Sequence, residues 1–94
     1  MARLNKIGKG HTRVKVGDDG VTRVTLYDTV VVEFTEHAVI LNAGEFKTVT
    51  TKNRMNQASN QFNLGYRVYQ VKGVWWVSSR VFPAKFYNGM VIPR

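Results

Sequence analysis

The sequence contains no cysteine, which removes a disulfide framework, a thiolate metal site and a thiol nucleophile together. No apolar run approaches the ~20 residues needed to span a bilayer, and the polar N-terminus lacks a signal-peptide core. A membrane role is therefore not expected. Acidic residues are also scarce: six Asp and Glu stand against fourteen Lys and Arg, for a net charge of +8. The scarcity is uneven. Residues 1–15 carry Arg3, Lys6, Lys9, Arg13 and Lys15 and no acid. All six acids fall within residues 16–45, beside the single cation Arg23. Residues 46–94 carry eight cations and no carboxylate. A basic half of that length cannot neutralise itself with local ion pairs. It either faces the acidic middle segment or presents a positive field to an outside partner.

Groups for catalysis are missing as well. His11 and His37 sit in no metal-ligand spacing, no phosphate-cradling Gly-rich loop is present, and nothing places Asp28, Glu33 and Glu36 in a common cleft. We expect no enzymatic activity, no cofactor and no metal.

What remains has the makeup of a small globular domain. Its 94 residues are 44% hydrophobic and 21% charged, neither a disordered nor a fibrous composition. Residues 1–10 read as a basic arm and 11–94 as one domain, without internal repeat or linker. Two alternating runs around Asp18-Asp19-Gly20 predict a hairpin. The segments "TVVVEF" and "AVILN" predict two further strands, and Asn42-Ala43-Gly44 closes the second. A helix is expected over 48–63, with Gly65 just past its end. "YRVYQV" and "VWWVSS" flank a two-residue Lys72-Gly73 turn, and a short "MVI" strand lies in the tail. The predicted class is α+β: an antiparallel sheet of about five to seven short strands packed by one central helix.

The helix is unusual in what it exposes. Met55, Ala58, Ser59 and Phe62 form one narrow apolar stripe, and Thr50 or Thr51 can serve as N-cap. Asn53, Asn56, Gln57, Asn60, Gln61 and Asn63 fill the rest, although Asn is a mediocre helix former. Lys52 and Arg54 near the start oppose the helix dipole unless an anion lies between them. An anion site at Thr50, Thr51, Lys52 and Arg54 is one reading; cations paired with Glu45 or another acid is the other. The amides fit a helix in a major groove, a plain polar surface, or amides that cap buried strand ends.

The stretch from Ile40 to Val77 resembles a family of small proteins found in tailed-bacteriophage genomes. The resemblance is carried by Leu41, Asn42, Gly44, Phe46, Lys47, Thr50, Thr51, Lys52, Arg54, Asn56 and Gln57, followed by Tyr69-Gln70 and Trp76. It covers about residues 24–77 and implies a phage protein acting in the bacterial cytoplasm. It implies no particular activity.

In the last hairpin, alternation places Arg67, Tyr69, Val71, Val74, Trp76 and Ser78 on one face and Tyr66, Val68, Gln70, Trp75, Val77 and Ser79 on the other. The first face is the more apolar centrally and is expected under the helix. That leaves Tyr66 and Trp75 exposed near Lys72 and Arg80, an arrangement suited to base stacking or to anchoring a protein partner. A small barrel covering both faces is the alternative.

Together these features predict a protein that binds nucleic acid chiefly through phosphates. Its candidate contacts are Lys47, Thr50, Thr51, Lys52, Arg54, Arg67, Lys72 and Arg80, with Arg3, Lys6 and Lys9 as a clamp. The rival is a module that docks on an acidic host or phage protein surface.

Overall fold

In the computed structural model, residue 7 and residues 10–45, 47–80 and 83–94 are described. Gly20, at φ +79°, turns strand β1 (Thr12–Val16) into β2 (Thr22–Leu26). Positive φ is sterically open to glycine, which is why the Asp-Asp-Gly signal works as a turn here. Strand β3 (Thr29–Phe34) pairs back on β2 through a tight Tyr27-Asp28 turn, and β4 (Ala38–Leu41) continues the meander. The β2–β3 ladder shifts register between Val24 and Thr25, pairing Val24 with Val32 but Thr25 with Val30. Val31 is the extra residue of this bulge, so the adjacent Val31 and Val32 are both buried. Residues 90–93 form β8 (Met90–Pro93), antiparallel to β4, which completes a five-stranded sheet ordered β1-β2-β3-β4-β8.

A second sheet holds β5 (Arg67–Val71), β6 (Val74–Ser78) and the two-residue β7 (Ala84–Lys85). Lys72 and Gly73 both take positive φ, 50° and 80°, and the register runs Val71–Val74, Gln70–Trp75, Tyr69–Trp76 as the turn chemistry predicts. The chain is α+β as expected. Its eight strands among the described residues divide into two sheets, where the sequence predicted five to seven strands in one sheet.

Helix α1 (Val49–Phe62) packs on the small sheet along β5 and also meets β2 and β3 of the large one. Met55 and Ala58 are fully buried between them, and Phe62 lies 4.9 Å, centroid to centroid, from Phe34 on β3. Thr48, not Thr50 or Thr51, is the N-cap: its backbone is extended and its Oγ1 accepts from the Thr51 N–H at 3.1 Å. At the other end Asn63, in the left-handed conformation at φ 56°, is the C-cap, and Gly65, expected just past the helix, lies two residues beyond it at φ 81°. Asn tolerates that conformation because its short polar side chain bonds locally.

The amides of the helix have a structural task. In a two-residue hairpin, alternate residues turn their N–H and C=O away from the partner strand. Along β5 these groups belong to Val68 and Gln70, with Tyr66 in line just before the strand, and those of Tyr66 and Val68 face α1. Asn56 meets both polar groups of Val68: Nδ2 donates to the carbonyl at 2.8 Å and Oδ1 accepts the N–H at 2.7 Å. Ser59 does the same for Tyr66, donating to its carbonyl at 2.6 Å and accepting its N–H at 3.2 Å. One face of the helix thus stands in for a missing strand at the edge of β5. Tyr66 adds a hydroxyl bond to the Met55 carbonyl at 2.6 Å. Capping of strand ends, one of the three readings of the amides, is therefore correct for Asn56.

Within the predicted basic arm, Ile7 joins the core, its N–H bonded to Gln61 Oε1 at 2.8 Å. Arg3, Lys6 and Lys9 lie outside the described residues, as does Phe46.

Candidate nucleic-acid interface

The structure separates the residues that the sequence groups at the helix start. With Thr48 as cap, Lys52 begins the second turn and Arg54 lies deeper still, where the dipole has largely faded. Thr51 is buried and its hydroxyl is 3.0 Å from that of Thr48. Arg54 is turned into the fold: Nε donates to Thr12 Oγ1 at 2.8 Å and Nη1 to Gln57 Oε1 at 3.0 Å, while Nη2 approaches the Gly10 carbonyl at 3.5 Å. It ties the helix to the first residues of β1. The groove beside the helix start, about 410 Å³, is lined by Leu26, Val31, Ala43, Thr48 and Thr51 and also by Asp28, whose carboxylate has the wrong sign for a phosphate. Thr50 remains exposed and Lys52 half-exposed. Major-groove reading loses its centre too, because Asn56 and Gln57 are buried.

The last hairpin faces the opposite way from the sequence expectation. Tyr66, Val68, Trp75 and Val77 are the buried set, at 6, 1, 4 and 1% exposure. Trp75 packs edge-on to Phe86 at 5.4 Å, and burial pushes the Tyr66 hydroxyl well above its ordinary pKa. Neither Tyr66 nor Trp75 can stack on a base or anchor a partner from there. The reason is electrostatic as much as apolar. β7 places Lys85 opposite Trp76, so the other face carries Arg67 at one end and Lys85 at its third strand. Burying that face would strand two cations without a carboxylate, which is strongly disfavoured.

The outward face therefore presents Arg67, Tyr69 and Val71 from β5, Val74, Trp76 and Ser78 from β6, and Lys85 from β7. Arg67, Val71, Val74 and Lys85 are exposed, and Tyr69 and Trp76 are half-buried. Lys72 sits at the hairpin tip and Arg80 just beyond β6, both exposed. Cross-strand partners share a face, so the register Tyr69–Trp76–Lys85 sets two aromatic rings and an ammonium in one row across all three strands. Of the residues on or beside this face, the sequence reading names Arg67, Lys72 and Arg80 as contacts, puts Tyr69 and Trp76 in the core, and leaves Lys85 unnamed. A two-residue strand after a loop leaves too little pattern to align with its neighbour.

Among the described residues the ion pairs lie within the acidic segment. Arg23 pairs with Asp19 at 2.9 Å and lies 3.9 Å from Glu33; His37 is 3.4 Å from Glu36. The hydrogen bond from Arg23 holds the Asp19 carboxyl below its ordinary range. Among the described residues, no Lys or Arg of the basic half has a carboxylate within ion-pair distance. Lys47 lies over the Phe86 ring at 5.8 Å and Arg94 over Phe34 at 5.8 Å, with Arg94 Nη1 also bonded to the Thr35 carbonyl at 2.7 Å. Elsewhere, His11 and Tyr27 stack at 4.5 Å, both at positive φ, a feature with no clear sequence signal. No helix is long and apolar enough to cross a membrane among the described residues.

These features define a small basic α+β protein whose uncompensated cations surround an aromatic sheet face. The chain belongs to the Kyanoviridae Gp96 protein family, a bacteriophage family whose model matches residues 1–93. That span extends the phage resemblance beyond residues 24–77 to the basic N-terminal segment and the tail. No curated protein and no solved structure matches the chain.

Proposed function

We propose that this phage protein binds nucleic acid, chiefly through phosphate contacts, in the cytoplasm of the infected host. What supports the reading is the separation of charge: Asp19, Glu33 and Glu36 lie against Arg23 and His37 within the acidic segment, and among the described residues no Lys or Arg of the basic half has a carboxylate within ion-pair distance. A polyanion is the partner such a surface attracts most strongly. Lys47, Lys52, Arg67, Lys72, Arg80 and Lys85 are the contacts; Arg54 and Thr51 belong to the fold.

Phosphate binding releases counterions, so the prediction is quantitative. Six neutralised phosphates give a log–log dependence of affinity on salt with a slope of about −5 on duplex and about −4 on a single strand. Fluorescence anisotropy with a labelled oligonucleotide between 50 and 200 mM salt, roughly the span in which such binding collapses, measures it. A slope near zero would refute the proposal. A pull-down from bacterial lysate with and without nuclease separates this reading from docking on an acidic protein: bound material should be lost on nuclease treatment, and a protein retained after it favours the rival.

A further inference from the structure

We infer that the outward face of the small sheet is a stacking platform for unpaired bases, so that the nucleic acid bound is single-stranded. This rests on the nucleic-acid binding proposed above and adds to it the place and the strandedness. The row Tyr69–Trp76–Lys85 is fixed by backbone register rather than by flexible side chains. Tyr69 and Trp76 are half-buried, so each ring is held by its neighbours while part of its surface remains free. Arg67 and Lys85 share this face with the two rings, while Lys72 stands at the hairpin tip and Arg80 just past β6; among the described residues none of the four has a carboxylate within ion-pair distance. A duplex keeps its bases stacked on one another, and a flat aromatic face can take only bases already splayed out. Aromatic side chains on a sheet, bordered by cations that follow the backbone, combine base stacking with phosphate contact. Val71 and Val74, both exposed at the hairpin end, extend the apolar floor on which the sugar and base edges rest.

The test compares four fluorescein-labelled ligands of equal length with the unaltered protein: a mixed-sequence single-stranded DNA, the same sequence as RNA, the corresponding duplex, and an abasic strand that keeps every phosphate but has no bases. The single strands, DNA or RNA, should bind at least about 10-fold more tightly than the abasic strand, since each stacked base contributes a factor of about 5 to 150. Trp76→Ala and Tyr69→Ala should each weaken single-strand binding by a factor in that range while leaving the salt slope unchanged, and Trp76→Phe should retain most of the affinity. Lys85→Ala should also weaken binding, but with the salt slope flattened by about 0.7 on a single strand. Equal affinity for the abasic and base-bearing strands, with a steep salt slope for both, overturns the platform and leaves phosphate binding standing. Failure to bind any of the four overturns both. The abasic comparison needs no variant, so it decides the matter even where Trp76→Ala does not fold.

Discussion

Replacing Asn56 with Leu should be among the most damaging single changes in this protein, although the residue lies on a helix whose sequence reads as polar surface. Its amide meets the N–H and the C=O of Val68 at 2.7 and 2.8 Å. Asn56 is 7% exposed and Val68 1%, so water has little access to either group. Leucine removes both partners at once and leaves two buried backbone groups unpaired, at about 1–3 kcal/mol each. Better helix propensity and added apolar contact return roughly 0.5–1 kcal/mol. The net loss is about 3 kcal/mol, against a total stability of about 5–14 kcal/mol for a chain of this size. At about 4–8 °C per kcal/mol the melting temperature should fall by about 12–24 °C. Urea unfolding followed by tryptophan fluorescence measures the loss directly, with Asn53→Ala, half-exposed on the same helix, as the control expected within about 0.5 kcal/mol of the parent. Asn56→Asp sharpens the test. It keeps the acceptor for the Val68 N–H but sets an oxygen against the Val68 carbonyl, which raises the carboxyl pKa in the folded state. Its stability is therefore greatest below the unfolded carboxyl pKa of about 3.9 and is lost as pH rises. A stability for Asn56→Leu indistinguishable from the parent would mean that the helix does not seal the edge of β5, and the account of the fold given above would have to be abandoned.

Lys52 and Arg54 should separate when altered singly. Arg54→Ala breaks the ties to Thr12 and Gln57 and should lower stability by about 1–2 kcal/mol. Lys52→Glu should leave stability unchanged or slightly raised in thermal melts while flattening the salt slope; equal losses for both would contradict the geometry. Tyr66→Phe removes the hydroxyl bond to Met55 at about 1 kcal/mol near neutral pH. Because burial raises the Tyr66 pKa in the folded state, the parent loses stability as pH climbs above about 10, the unfolded value. The gap between parent and variant should thus narrow in alkali, and a widening gap would count against the buried, neutral hydroxyl. Lys72→Asn suits the positive φ of 50° at the first turn position. It should raise stability by a few tenths of a kcal/mol while flattening the duplex salt slope by about 0.9; a stability loss would point to a contact of Lys72 that the structure does not show.

Much of the architecture was legible because it is local. Gly20 and Lys72-Gly73 fix their turns through backbone sterics, and the strands follow from β-branched alternation on either side. Helix α1 ended within one residue of its expected bounds at each side, although its N-cap was misassigned. Thr48, Thr50 and Thr51 are chemically alike, and only the extended backbone at Thr48 distinguishes them. The candidate site was harder to see. Period-two alternation sorts residues into two faces but says nothing about which face turns inward, and Tyr69 and Trp76 are as apolar as Tyr66 and Trp75.

By itself the chain of letters settled the class of fold, the register of the Lys72-Gly73 hairpin and the segregation of charge, since turns, alternation and ionisable groups each act within a few residues of where they are written. Packing alone decided that residues 90–93 return to β4, that Asn56 and Ser59 serve an edge of β5, and that Lys85 comes to lie beside Trp76. Each of these joins different elements across a loop or a longer stretch of chain, and their energies arise only once buried backbone groups must find partners and unpaired cations must stay in water.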